Sequence, residues 1–293
     1  MKTKIYFPVI VAVAMMTTFL GGCRSTDEYK KLAQAGTNYS NALNQLLDIA
    51  VESRINESSE ELLLQDRDIN RTFDNYKKLS GSDSNLIELV NRLKKHNRLL
   101  SKYFHLLEDL AGSNAPERTQ TAIGGVIGNL NIVGQTLRIN NNNLIKNQEV
   151  FQGIGKLIVS SQIRGALKEE LEKRNQTIML ELKTQQELLN ALSTQIKGDL
   201  KEIQEKQELR LVINPLLEPT VIESEDAWIT TRRELLTQEL TAAELETASQ
   251  SLGDFQSIFQ DFVEGRSNSA RIDSLLTDIE NLLSVIEKLK PKE

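Results

Sequence analysis

The apolar residues along most of the chain repeat with the period of an α-helix. Between Leu171 and Ile203, alternating steps of four and three residues select ten positions, of which seven are apolar. The same stepping from Leu86 to Leu107 gives six apolar residues among seven. A repeat of 3.5 residues is typical of helices that bury one face against other helices. The pattern therefore predicts an all-α protein, an elongated bundle of long antiparallel helices with coiled-coil-like packing.

Glycine and proline positions predict where these helices end. We expect helices at 26–53, at 59–79, from Leu86 to a break at 112–116, at 163–211, and in two further stretches of 221–289. Gly81 would end the second helix, because glycine commonly follows a helix. Pro215 and Pro219 would end the long helix at 163–211, because proline cannot donate the backbone hydrogen bond and its ring clashes with the preceding turn.

Composition supports the helical prediction and excludes several classes of function. Leu, Glu, Gln and Lys are abundant, whereas aromatic residues make up only 5% of the chain. The formal net charge of −6 is dispersed along the chain, so that no basic region suited to nucleic acid is expected. Cys23 is the only cysteine, which excludes an intrachain disulfide and any cysteine-rich metal site.

The N-terminus has the regions of a secretory signal peptide. Lys2 and Lys4 precede an uncharged, mostly apolar stretch at 5–20, and small residues follow that stretch. The stretch is shorter than the roughly 20 residues that a transmembrane helix needs. We therefore expect residues 1–22 to be a signal peptide, with an uncleaved membrane anchor as the alternative.

Leu20, Gly21, Gly22 and Cys23 form a sequence that resembles the lipobox of bacterial lipoproteins: an aliphatic residue, two small residues and a cysteine. The resemblance implies that a dedicated peptidase recognises Leu20, Gly21 and Gly22 and cleaves before Cys23. It also implies that the Cys23 sulfur carries diacylglycerol and that the new α-amine is acylated, for example with palmitate. Two or three acyl chains anchor a protein stably, whereas one chain binds the membrane reversibly.

Arg24 follows the predicted lipidation site. In lipoproteins of bacteria with two membranes, an aspartate at this position is associated with retention in the inner membrane. The resemblance therefore implies sorting of this chain to the outer membrane, and we expect its body to lie in the periplasm. The sequence leaves open whether the body faces the periplasm or the cell exterior.

The two histidines do not form a recognisable catalytic or metal site. His96 and His105 are nine residues apart, which places them about 180° from each other around one helix. The chain contains neither an HExxH nor a GxSxG motif, and its glycine-rich stretch lacks the ending of a phosphate-binding loop. We expect both histidines to be structural, and we expect no catalytic residue, metal, cofactor or small-molecule substrate.

The apolar, glycine-rich segment at 122–134 is a candidate contact segment. The spacing of Gly124 and Gly128 places two positions without side chains on one helix face, which favours a close helix crossing inside the bundle. The alternative is that Gly124, Gly125, Ile127 and Gly128 contact a membrane or a partner, as in helical pore-forming toxins. The segment is too short to cross a bilayer alone.

The sequence thus divides into a signal peptide at 1–22 and an α-helical bundle domain at 23–293, with a candidate subdivision near 112–120. Within the bundle, the polar residues Asn175, Gln185 and Asp199 interrupt an otherwise apolar helix face. They would either fix the register of that helix or mark where it is not covered by the same chain.

The leading hypothesis is a lipid-anchored, non-catalytic cell-envelope protein with a scaffolding or partner-binding role. Its expected partners are the membrane, through lipid at Cys23, and either another envelope protein or a second copy of the chain. A membrane-active, toxin-like protein that uses residues 122–134 is the alternative. An envelope hydrolase is the weakest of the three, because no catalytic motif supports it.

Overall fold

The computed structural model describes residues 24–64, 72–112, 115–140, 157–217, 222, 224–266 and 269–289. The long helices are α1 (Arg24–Leu64), α2 (Phe73–Gly112), α3 (Pro116–Asn140), α4 (Gly165–Gln207), α6 (Glu225–Ser251) and α8 (Ser269–Leu289). A π-helical segment (Glu208–Ile213) and α5 (Asn214–Leu217) continue α4, and a 3-10 turn (Leu252–Asp254) connects α6 to α7 (Phe255–Val263). These residues contain no strand, which confirms the predicted all-α fold.

The predicted end of the first helix and the predicted break at Gly81 are wrong, because α1 continues to Leu64 and α2 passes through Gly81. The hydroxyls of Ser58 and Ser59 donate to the carbonyl of Ile55 at 3.0 and 2.6 Å, so they lie inside a helix and do not cap one. A glycine inside a helix costs only about 1 kcal/mol. The packing of the rest of α2 outweighs that cost.

Two other boundaries depend on proline. The predicted break at 112–116 is confirmed, since α2 ends at Gly112 and α3 begins at Pro116, where the missing N–H costs no hydrogen bond. Pro215 does not end the helical structure, which is described as far as Leu217, two residues before Pro219. The π segment ends at Ile213, two residues before Pro215. In a regular α-helix the proline ring would clash with the carbonyl of Leu211, and the wider π turn relieves that clash.

The contacts of α1 define the arrangement of the bundle. α1 and α2 are antiparallel, as shown by the pairs Asp48–Lys94 and Ser58–Asp83. α1 and α4 are parallel, as shown by the pairs Arg54–Asp199 and Glu60–Arg210. The predicted antiparallel order therefore holds for the first pair of helices and not for the second. We call the end where α1 begins the proximal end, and the end that contains the α1 C-terminus, the α2 N-terminus, the π segment, α5 and the α6 N-terminus the distal end.

The predicted apolar face of α4 forms part of the core. All ten heptad positions are buried: Leu171, Asn175, Ile178, Leu182, Gln185, Leu189, Leu192, Ile196, Asp199 and Ile203. The Asn175 amide exchanges two hydrogen bonds with the backbone of Leu157, at 3.1 and 3.2 Å, and Gln185 donates to the side-chain oxygen of Asn97. The same chain therefore covers these polar positions. Coiled-coil geometry in the strict sense stays a prediction.

An aromatic cluster fills the core of the proximal half. The ring centroids of Phe104 and Phe255 are 5.5 Å apart, and those of Tyr39 and Phe255 are 5.1 Å apart. Gly36 of α1 lies against the Phe104 ring so closely that a Cβ there would come within 2.5 Å of Cδ2. The absence of a side chain at Gly36 is thus what allows α1 and α2 to pack at this level.

Candidate functional site at the distal end

The residues of the predicted lipobox, Leu20, Gly21, Gly22 and Cys23, lie outside the described residues. Arg24 is the first residue of α1. Signal-peptide cleavage, lipidation and sorting therefore stay predictions. Because α1 begins directly after Cys23, the described chain contains no flexible spacer between the bundle and the predicted lipidation site.

The histidines differ from each other in environment. His105 is exposed and lies 3.5 Å from Asp109 on the same helix. His96 is buried, and its Nε2 donates to Oε2 of Glu181 at 2.7 Å. The structure does not bring the two histidines together, in agreement with their predicted separation around the helix.

Glu181 is the centre of a buried polar cluster that the sequence did not reveal. Its Oε2 also accepts a hydrogen bond from Nη1 of Arg138 at 2.9 Å, and Arg138 in turn donates to the Thr184 hydroxyl at 3.2 Å. A Cβ at Gly134 would lie 2.7 Å from Oε1 of Glu181, so that glycine makes room for the carboxylate. Glu181 has no local sequence feature that distinguishes it from the surface glutamates of α4.

The glycine-rich segment at 122–134 forms the middle of α3. Ile127 is buried against the core, whereas Gly125 and Gly128 are exposed, with no atom of the described residues near the position of a Cβ. Gly124 approaches the guanidinium of Arg174, so the predicted close crossing does not involve both glycines of the spacing. A contact of Ile127 with a membrane or partner would require α3 to leave the core.

A polar cleft of about 450 Å³ lies between α3 and α4. It is lined by Glu117, Gln120, Thr121, Gly124, Glu169, Glu170, Lys173 and Arg174. Burial raises the pKa of Glu170, and the ion pair with Arg174 opposes that shift. The Thr121 hydroxyl donates to the carbonyl of Glu117 at 2.9 Å. These lining residues include no histidine or cysteine that would activate a nucleophile.

Membrane-spanning helices and metal-binding clusters are absent from the described residues. In that part of the chain, no helix combines the length and the apolar character that a membrane-spanning segment requires. No group of three or more His, Cys, Asp or Glu side chains in the same part is arranged to bind a metal ion.

The distal half of the bundle carries most of the exposed apolar side chains. Eleven of the fourteen large apolar side chains that are exposed in the described residues lie there: Ile55, Leu63, Phe73, Tyr76, Ile87, Leu209, Ile213, Leu216, Leu217, Ile229 and Leu236. Clusters of exposed apolar residues commonly mark surfaces that bind other proteins or membranes. We call these eleven residues the distal apolar surface.

The helix packing explains why these side chains are exposed. α3 ends at Asn140, shortly after Arg138 contacts Thr184 in the middle of α4. α8 ends at Leu289, next to Lys288, which pairs with Glu244 of α6 at 2.7 Å. Neither helix extends along the distal half, where the described residues provide α1, α2, the end of α4 and α6.

Charged residues hold the distal ends of α1, α2 and α4 together. Glu60 of α1 accepts two hydrogen bonds from the Arg210 guanidinium, at 2.8 and 2.9 Å, in a bidentate pair. The Arg54 guanidinium lies 2.8 Å from Glu57 and 3.5 Å from Asp199. Burial raises the pKa of Asp199, and Arg54 only partly offsets it.

We expect Asp199→Asn to weaken the pH dependence of stability. Because the pKa of Asp199 is raised on folding, its contribution to stability is full below the ordinary aspartate pKa and is lost as pH rises through the raised value. The asparagine variant should therefore gain stability relative to the natural chain at pH 7, and this gain should shrink toward pH 4. Urea unfolding at both pH values measures the difference. A gain that grows on acidification would contradict the assigned direction.

The comparisons with known proteins found no similarity, since no family model, no curated protein and no solved structure matches this chain.

Proposed function

We propose that this chain is a lipid-anchored, non-catalytic cell-envelope protein that binds another envelope component through its distal end. In this proposal the lipid is attached at Cys23, the anchor is in the outer membrane, and the body lies in the periplasm. The observation that carries the partner-binding role is the concentration of exposed apolar side chains in the distal half. Water-exposed apolar surface is stabilised when a partner covers it.

The geometry of α1 relates the proposed anchor to the proposed binding surface. α1 contains 41 residues and begins at Arg24, directly after the lipidation site. At about 1.5 Å per residue, such a helix is roughly 60 Å long. The distal apolar surface would thus be held at a roughly fixed distance from the membrane, within reach of a component that the anchor alone does not contact.

The proposal predicts that photocrosslinking in cells depends on position. A photoreactive phenylalanine at Leu217 in α5, a residue that is 77% exposed, should crosslink the full chain to an envelope protein. The same residue at Ile132 in α3, which is 65% exposed, is the matched control and should give little product. Cys23→Ser should remove the chain from the membrane fraction and reduce the Leu217 product.

Each part of the proposal has an outcome that contradicts it. Equal crosslinking at Ile132 would argue against the distal end and would favour a contact through the segment at 122–134. Membrane fractionation and acyl labelling that are unchanged in Cys23→Ser would refute the lipid anchor. A crosslinked product with twice the mass of the chain would replace the envelope partner with a second copy.

A further inference from the structure

The distal apolar surface includes a groove between α1 and α2. One hollow, of about 400 Å³, has Val51, Ile55, Ile87 and Val90 among its lining residues. A second hollow, of about 590 Å³, is next to the first along α1 and is lined by Ser59, Leu62, Leu63, Thr72, Phe73 and Tyr76. The α1 residues from Asp48 to Leu63 span about 22 Å, which corresponds to roughly four turns of an α-helix.

The groove faces away from the rest of the bundle. On α1, Arg54 and Glu57 point to α4, where they contact Asp199 and Lys206. Ile55 lies about 100° around the helix from Arg54, at 100° per residue. α1 and α2 therefore use one face to pack on α4, and no helix of the described residues covers their second face.

The charges beside the groove restrict what fits into it. Asp48 on the α1 side is paired with Lys94 of α2. Glu52, one turn further along the same side, has no ion pair in the described part of the chain. The first hollow thus combines an apolar floor with one negative charge that has no ion pair in the described part of the chain. At the second hollow, Lys77 lies 4.6 Å from the centroid of the Phe73 ring. A second copy of the chain that set its first hollow against this one would bring another Glu52 to it, so like charges disfavour that occupant.

We propose that the groove binds an amphipathic helix of a partner protein, with an apolar stripe of about four turns and a lysine or arginine opposite Glu52. Apolar residues of the partner helix, spaced at i, i+3, i+4 and i+7, would cover Ile55, Ile87, Leu62 and Tyr76. Amphipathic helices bind apolar grooves in this way. The basic residue would neutralise Glu52. This inference rests on the proposed partner-binding role and is independent of the lipid anchor.

Two synthetic amphipathic peptides test the inference. Both have 18 residues and the same leucine stripe, and their polar flanks contain either lysine or glutamate. Fluorescence anisotropy measures their binding to the full chain, with the peptide alone as the background. The lysine-flanked peptide should bind at least tenfold more tightly than the glutamate-flanked peptide.

Variants of the chain assign the binding to the groove. Glu52→Lys should remove or reverse the preference for the lysine-flanked peptide. Glu280→Lys makes the same change of charge on the exposed face of α8 and should leave the preference unchanged. Ile55→Asp together with Ile87→Asp should weaken binding at least tenfold. Circular dichroism checks folding, and the milder pair Ile55→Ser and Ile87→Ser replaces the aspartate pair if that pair fails to fold.

Several results would overturn the inference. They are equal binding of both peptides, a loss of preference in Glu280→Lys as large as in Glu52→Lys, and binding that is insensitive to Ile55 and Ile87. Concentration-dependent dimerisation that is lost on Ile55→Asp would assign the groove to a second copy instead. If the peptides fail while Leu217 still crosslinks an envelope protein in cells, the proposed function stands and only the helical partner is rejected.

Discussion

Glu181→Ala should destabilise the fold by about 3–5 kcal/mol, because it breaks a buried ion pair and removes the carboxylate that neutralises the Arg138 guanidinium. Glu181 is completely buried, and its carboxylate accepts hydrogen bonds from His96 of α2 and Arg138 of α3. The substitution removes both hydrogen bonds and also leaves a cavity where α2, α3 and α4 meet. Urea denaturation monitored by circular dichroism measures the loss of unfolding free energy.

A surface glutamate on the same helix provides the control for this experiment. Glu172 is half exposed and lies 3.7 Å from Lys168 one turn earlier. Exposed pairs of this kind contribute little, so Glu172→Ala should change stability by no more than about 0.5 kcal/mol. A loss below about 1 kcal/mol for Glu181→Ala would mean that the cluster does not hold the three helices together.

Gly36→Ala should destabilise the proximal half, although alanine forms helices better than glycine does. A Cβ at Gly36 would lie 2.5 Å from Cδ2 and 2.6 Å from Cδ1 of Phe104, whose ring is completely buried. Phe104 packs on Phe255 and Phe259, so the ring cannot move without disturbing the aromatic cluster. Forcing an extra carbon into a filled core typically costs about 1–3 kcal/mol. Thermal and urea unfolding both measure the effect.

Gly198→Ala is the matched control, since Gly198 also lies inside a long helix but has no atom near the position of a Cβ. There the higher helix propensity of alanine acts without a clash, and stability should rise by about 0.5–1 kcal/mol. In combination with Phe104→Leu, Gly36→Ala should cost less than it does alone, because leucine leaves space for the new methyl group. Equal effects at Gly36 and Gly198 would contradict the close approach of α1 and α2.

Glu181 and Gly36, where the largest losses of stability are expected, lie away from the distal apolar surface. This agrees with different roles for the two halves of the bundle. The proximal half contains the aromatic cluster and the Glu181 cluster, and α3, α7 and α8 add to its packing. In the part of the chain that the structure describes, the distal half has fewer covering helices, and ion pairs such as Glu60–Arg210 join its helices. In the proposed function, the proximal half makes the body rigid and the distal half binds the partner.

The sequence by itself determined the fold class and the buried faces of α2 and α4. All ten predicted heptad positions of α4 are buried, and so are six of the seven on α2. These predictions succeed because helical periodicity is local, so apolar residues spaced by three and four positions share one face whatever covers it. The break before Pro116 was predictable because the effects of glycine and proline on a helix are also local. Gly81 misled the prediction, since tertiary packing overrides weak local preferences.

Only the tertiary structure decided which helices meet, which polar residues pair, and which apolar residues stay exposed. Leu47 lies inside the predicted first helix and Ile55 beyond its predicted end, yet both belong to α1. Leu47 is buried and Ile55 is 39% exposed, because no described helix covers that side of the distal half. Glu181 and Glu172 are equivalent in local sequence, and the presence of His96 and Arg138 opposite one of them makes the difference. Such contacts join residues more than forty positions apart, and local periodicity carries no information about them.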